Sequence, residues 1–228
     1  LIKTDSMCNV IWAKSYGNST SDFSSKMIID NDGGYVIAGI SFWGAGLLDV
    51  LVLKINTNGN VVWSKTFGGP SEDYGNDIIK TTDGGFLIAG SFTKEYNIGW
   101  TIEVTSGYLI KLNQNGDLVW SKIYGIPYEN PNNPSDTIIR YDGGFYSIKM
   151  DNDNNYFIND SIKIDTNGNI LFVFKNKNYM SFPVSEKGYF YTKFLNNQNN
   201  STTFYVQKAD SVLNTKWAKK YDINFTSG

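Results

Sequence analysis

The chain contains no histidine. That absence removes the commonest metal ligand and the commonest general base, so histidine-based triads and histidine metal centres are excluded. A single cysteine, Cys8, excludes an internal disulfide framework. Placed in a predicted strand, Cys8 reads as a small buried residue rather than a reactive thiol. Charged residues make up only 18% of the chain and the net charge is −2. A nucleic-acid binder needs a basic patch to neutralise phosphates, and the sequence shows none. The like-charge blocks that mark disordered tails are missing too. No apolar run approaches the roughly 18 residues of a membrane span. The chain opens at Leu1 rather than Met and shows no signal peptide, which predicts a processed or excised piece of a longer polypeptide.

What the chain does have is aromatics at 15%, 22 glycines and a repeat. Trp12-Ala13-Lys14-Ser15-Tyr16-Gly17 returns as Trp63-Ser64-Lys65-Thr66-Phe67-Gly68 and as Trp120-Ser121-Lys122-Ile123-Tyr124-Gly125. A worn copy stands at Trp217-Ala218-Lys219-Lys220-Tyr221. In step with it, Asp32-Gly33-Gly34-Tyr35-Val36-Ile37-Ala38-Gly39 matches Asp83-Gly84-Gly85-Phe86-Leu87-Ile88-Ala89-Gly90. Asp142-Gly143-Gly144 and the decayed Glu186-Lys187-Gly188 continue that series. A period of roughly 50 residues marks solenoids, propellers or arrays. Each period reads as four short strands joined by tight turns, since Asp-Gly-Gly and Asn-Gly supply the positive φ that hairpins need. The apolar positions alternate or run continuously, as in Val50-Leu51-Val52-Leu53, which excludes helical repeats. Four antiparallel strands per unit, stacked on their neighbours, predict an all-β propeller. The repeated tryptophan is expected to fill the layer between units.

The phase of the repeat matters. Leu1–Asp5 aligns with a third strand and Cys8–Trp12 with a fourth, so the chain starts in mid-blade. The expected organisation is a half blade at 1–17, blades at 18–68 and 69–125, divergent blades at 126–175 and 176–222, and a tail or link at 223–228. This predicts a partial or incomplete ring within a longer protein. The alternative is a five-bladed ring with one incomplete blade.

The Asp-Gly-Gly-Tyr/Phe-x-Ile-Ala-Gly unit followed by Asn58-Gly59-Asn60-Val61-Val62-Trp63-Ser64-Lys65 resembles the β-propeller repeats of secreted surface proteins of the Bacteroidetes type. The resemblance is good over 27–69 and 77–125, fair over 1–17 and poor after about 142. It implies export to the extracellular or outer-membrane surface, often as type IX secretion cargo. It implies little about activity. Gly59-Asn60-Val61-Val62-Trp63 is also similar in spacing to quinoprotein propeller repeats, but no cofactor ligands can be placed.

Long variable connections on a rigid scaffold are where function concentrates. Here they follow second strands, at 41–49 and 91–107, and fourth strands, at 68–76 and 125–135. They carry Phe42, Trp43, Phe92, Tyr96 and Trp100 beside Glu72, Asp73, Glu95, Glu103 and Glu129. Aromatics beside carboxylates suit sugar stacking or a protein partner. The competing reading is that the aromatics pack the loops onto the scaffold. Asp151-Asn152-Asp153-Asn154-Asn155 opens like a calcium loop, but Tyr156 stands at the glycine position and Ile162 where a bidentate glutamate is needed. A polar turn is the expectation there. No cofactor and no metal are expected.

With the surface location that the resemblance implies, the low charge, the absent histidine and the variable loops point to a non-enzymatic surface module that binds a protein or a glycan, or forms part of a larger chain or envelope assembly. The competing functions are a polysaccharide-active hydrolase or lyase using Glu95 and Glu103, and a structural spacer in a larger secreted adhesin.

Overall fold

The computed structural model describes residues 1–17, 21–42, 47–97, 101–124, 126–130, 133–140, 144–159, 162–173, 179–183, 189–196, 201–209 and 215–224. Their side chains are described up to residue 171, except at 96–97, 101–102, 126–130 and 133–140. Among the described residues every regular element is a strand. The chain divides into two compact units, Leu1–Tyr146 and Ser147–Gly228.

The first unit opens with an antiparallel pair, β1 (Ile2–Thr4) and β2 (Val10–Ala13). A four-stranded meander follows: β3 (Asp22–Ile29), β4 (Tyr35–Ser41), β5 (Asp49–Ile55) and β6 (Val61–Phe67). A second comprises β7 (Tyr74–Lys80), β8 (Phe86–Asn97), β9 (Thr101–Leu112) and β10 (Leu118–Tyr124). The hairpin β11 (Ile126–Asn130) and β12 (Asn133–Arg140) completes the unit. The second unit holds the meander β13 (Ile148–Met150), β14 (Tyr156–Ile158), β15 (Ile162–Ile164) and β16 (Ile170–Val173). It ends with β17 (Tyr179–Pro183), β18 (Tyr189–Asn196), β19 (Ser201–Ala209) and β20 (Thr215–Asn224).

Turn chemistry explains where the strands break. Asn56 Oδ1 accepts the amides of Asn58 and Asn60 at 3.0 and 2.9 Å, and Gly59 between them has φ +72°. Asn113 does the same for Asn115 and Asp117 around Gly116, and Asp165 for Asn167 and Asn169 around Gly168. One carboxylate or amide oxygen thus organises a five-residue turn whose fourth residue must be left-handed.

Two expectations are corrected by these turns. Cys8 does not lie in a strand: it is exposed and occupies the fourth turn position at φ +65°, with Asp5 Oδ1 accepting from Met7 and Asn9. Nor does Gly144 belong to a hairpin between strands, since residues 144–147 form no strand. The corresponding turn of that meander is Asp151–Asn155, where Asp151 Oδ1 accepts from Asp153 and Asn155 and Asn154 has φ +62°. Its carboxylate is occupied by those amides and by Lys163 at 2.9 Å, which makes the segment the polar turn rather than a calcium loop. Asp142, Gly143 and Glu186–Gly188 lie outside the described residues.

The core of the first unit lies between its two meanders. Val36, Ala38, Val50 and Val52 meet Ile78, Phe86, Ile88, Tyr108, Ile110 and Leu112. Inner strands β4 and β5 are buried on both faces, which is why their sequences are nearly continuous apolar runs. Outer strand β6 is mostly exposed and carries Lys65 at its middle, a charge that protects a sheet edge.

The repeated tryptophan joins successive sheets. Trp12 Nε1–H donates to Thr57 O at 3.2 Å, its ring lies against Gly59, and Tyr16 OH donates to Gly59 O at 2.7 Å. Lys14 Nζ donates to Asn58 O and to Asn60 Oδ1. One repeat later the Trp63 ring covers Gly116, and Lys65 reaches Asp117 at 3.9 Å. A Cβ on Gly116 would sit 2.8 Å from the Trp63 ring. The glycine is needed twice over, for its φ and for the indole.

A second repeated contact is ionic. Lys54 Nζ lies 2.6 Å from Asp30 Oδ2 and 2.9 Å from Asp32 Oδ2. Lys111 meets Asp83 at 2.8 Å and Lys163 meets Asp151 at 2.9 Å. In each case the third-strand lysine ties down the turn between the first two strands of its own sheet.

Candidate functional site

Residues 91–107 were expected to form a loop; the described ones, 91–97 and 101–107, form a ribbon instead. β7 pairs with β8 only as far as Tyr74↔Ser91, and β10 pairs with β9 only as far as Tyr124↔Gly107. Beyond those points β8 and β9 continue with each other, from Phe92↔Ser106 to Asn97↔Thr101. Threonine, tyrosine, valine and isoleucine favour the extended state there. Each flanking strand stops where its own connection begins, so a two-stranded arm projects past the sheet.

The base of the arm is firmly held. Asp73 is fully buried, and its carboxylate accepts from the Gly69 amide at 2.6 Å and the Thr93 amide at 2.9 Å. Its own amide donates to Leu48 O at 2.8 Å. Burial pushes its carboxyl above the ordinary value against those two amides, and the neighbouring Asp49 charge adds to the rise. Phe92 packs edge-on to Tyr108 with ring centroids 5.4 Å apart. On the other side Phe145 stands 5.4 Å from Tyr124, its amide donates to Gly90 O, and its carbonyl accepts from Asn76 Nδ2 at 3.0 Å.

The arm has two faces, because side chains alternate along a strand. Thr93, Glu95, Glu103 and Thr105 share one of them, and Thr93 Oγ1 meets Thr105 Oγ1 at 3.3 Å. Glu95 and Glu103 stand directly opposite each other, both exposed. At the foot of the arm Tyr74 OH donates to Glu72 at 2.5 Å. That hydrogen bond, then burial, then the charges of Glu72 and Glu103 push the Tyr74 hydroxyl up to about 12. Three exposed carboxylates thus gather along one side of a ribbon with a fixed base.

The expected site residues separate into groups. Glu95 and Glu103 are brought together. Phe92 is turned inward onto Tyr108 and serves the base. Phe42, just after β4, remains 46% exposed, at the position in its own sheet that corresponds to Thr93 at the base of the arm. The Tyr96 backbone lies in β8, opposite Ile102, with its side chain outside the described residues. Trp43 and Trp100 also lie outside them. Asp73, read as a loop carboxylate, is instead an internal anchor. A signal for this was present: Asp22 and Asp73 each stand five residues after the glycine closing a fourth strand, and Gly17 and Gly68 both approach these carboxylates.

Chemically, the arrangement offers hydrogen-bond acceptors and negative charge to a partner. Among the described residues no three potential ligands cluster to hold a metal.

No family model matches the chain, and no curated protein matches it. Among solved structures it is similar to the WD40 domain of SCAP from fission yeast, at 11% identity and a TM-score of 0.31, over 96% of this chain and 70% of that one.

Proposed function

We propose that the chain forms part of a β-propeller acting as a non-enzymatic binding module at an exported cell-surface location, with a protein or a glycan as its partner. The propeller reading is supported by the sequence-ordered meanders and by the tryptophan-to-glycine docking repeated through residues 1–146. The surface location rests on the likeness of the Asp-Gly-Gly and Asn-Gly-Asn-x-x-Trp units to secreted repeats. One observation carries the binding role: an anchored ribbon that lifts Glu95 and Glu103 clear of the sheet, with Glu72 at its foot.

The test is a glycan array together with pull-down from the surface fraction of the source cells. Each ligand found is re-measured with Glu95→Lys, Glu103→Lys, Phe42→Ala and Trp100→Ala. Loss of binding in the charge reversals with the fold intact is the expected outcome. Binding indifferent to all four substitutions sinks the arm as the site. Polysaccharide cleavage abolished by Glu95→Gln or Glu103→Gln replaces the reading with an enzymatic one.

A further inference from the structure

The two meanders of the first unit are equivalent, yet one face of the first is left bare. Met27 pairs with Ile37 in β3–β4 as Ile78 pairs with Ile88 in β7–β8. Ile78 is completely buried beneath the preceding sheet, whereas Met27 is 46% exposed. Ile29, at the position of Lys80, is 69% exposed. Among the described residues of the Leu1–Tyr146 unit, the β1–β2 pair covers part of this face, through Trp12 and Tyr16 packed on Ile37, Leu53 and Ile55. Beside that pair lies a recess of about 250 Å³ lined by Leu1, Tyr16, Phe23, Ile37, Gly39 and Leu53.

A separate observation concerns charge. Lys3 pairs with Trp12 as Lys54 pairs with Trp63 and Lys111 with Trp120. Lys54, Lys111 and Lys163 each meet an aspartate from the turn between strands one and two of their sheet. Lys3 has no such turn in its sheet. Its ammonium donates to Thr57 O at 3.2 Å and lies 5.7 Å above the Tyr35 ring.

We infer that the outer edge of β1 and the bare face of β3–β4 form an acceptor for an antiparallel β-hairpin with an aspartate in its turn. One strand of the hairpin extends the sheet from β1. Its apolar residues cover Met27 and Ile29, as Val36 and Ala38 of β4 lie over the next meander. Its turn carboxylate meets Lys3. The occupant is defined by this chemistry: alternating apolar strands supply the area and the acidic turn supplies the register. The inference is independent of the proposed binding arm, which lies at the far end of a different sheet.

The probe is a second copy of residues 22–51, carrying Met27→Leu in the added copy alone, fused ahead of Leu1 of the full chain, which reproduces the spacing of β3, β4 and the connection to β5. Fusion keeps the hairpin at high effective concentration. The expected result is a Tm higher by about 5 °C or more and oxidation of Met27 by peroxide slowed by roughly tenfold. Both gains shrink when Lys3→Met is introduced, or when the added copy carries Asp30→Asn and Asp32→Asn. An unchanged Tm with unchanged Met27 oxidation overturns the inference, as do gains indifferent to the charge substitutions. If sedimentation shows the unfused chain already dimeric, and Ile29→Lys makes it monomeric, a second copy is the occupant and the hairpin assignment falls. Should the fusion not purify as a soluble protein, peptide 22–41 with Met27→Leu added to the unmodified chain serves with the same oxidation readout.

Discussion

The strand-three lysines permit one substitution to be made twice with expectations that differ in size. Lys54→Met removes the cation between Asp30 and Asp32. The Asp30 side chain is only 7% exposed, and it keeps just Lys80 at 3.1 Å and the Asn31 amide at 2.7 Å. Breaking a buried pair by removing one partner costs about 3–5 kcal/mol when the remaining charge is stranded. The Lys80 contact offsets part of this, leaving about 2–3 kcal/mol, or about 4–12 °C in Tm for a protein of this size. Lys111→Met removes a lysine whose side chain is 4% exposed, but its partner Asp83 is 63% exposed and returns to water. The methionine then fills an apolar position, and the cost falls to about 1 kcal/mol or less. Both lysines lie in the Leu1–Tyr146 unit, so the same unfolding transition reports both. Urea unfolding followed by tryptophan fluorescence, at constant m-value, gives the difference directly. If Lys111→Met costs as much as Lys54→Met, the burial of the partner carboxylate is not what sets the penalty.

Gly116→Ala should destabilise by about 2 kcal/mol or more, because it strains φ +80° and drives a methyl into the Trp63 ring; a neutral result in thermal unfolding would remove the indole–glycine contact from the account. Cys8→Gly should raise stability by about 1 kcal/mol, since Cys8 holds φ +65° at a position that is glycine in three other turns. A fall in Tm would show that the strain is already relieved by the Asp5 turn. Burial pushes the Asp83 carboxyl up, but Lys111, the Thr81 hydroxyl and the Gly85 amide outweigh it and hold the group at about 2. A depressed carboxylate contributes stability above its unfolded value near 3.9, and loses it as pH falls toward about 2. The stability difference between wild type and Asp83→Asn should therefore narrow between about pH 4 and pH 2, and a gap that stays constant over that range would contradict the assignment.

Much of the architecture is local and so can be read from the residues. Asn56 and Gly59, or Asn113 and Gly116, set a turn within five residues, and the apolar runs between turns leave no option but strands. Cys8 stands opposite Gly59 in the repeat, and that match to a left-handed turn glycine, rather than the fourth-strand phase given to Cys8–Trp12, carries the signal for its turn.

What the sequence could not decide were contacts made between distant segments. Asp73 looks like any loop acid until Gly69 and Thr93 close over it. Residues 92–106 alternate too weakly to announce a ribbon, which exists because β7 and β10 end where they do. The repeated Lys and Asp-Gly-Gly were both visible, but their ion pair depends on the third strand pairing with β4 or β8 beside the turn that carries the aspartate. By itself, the sequence determined the strands, the turns and their period, because backbone conformation there answers to neighbours a few residues away. Only the stacking of sheets decided which carboxylates are buried anchors and which project into water, because burial belongs to surfaces brought together from far apart in the chain.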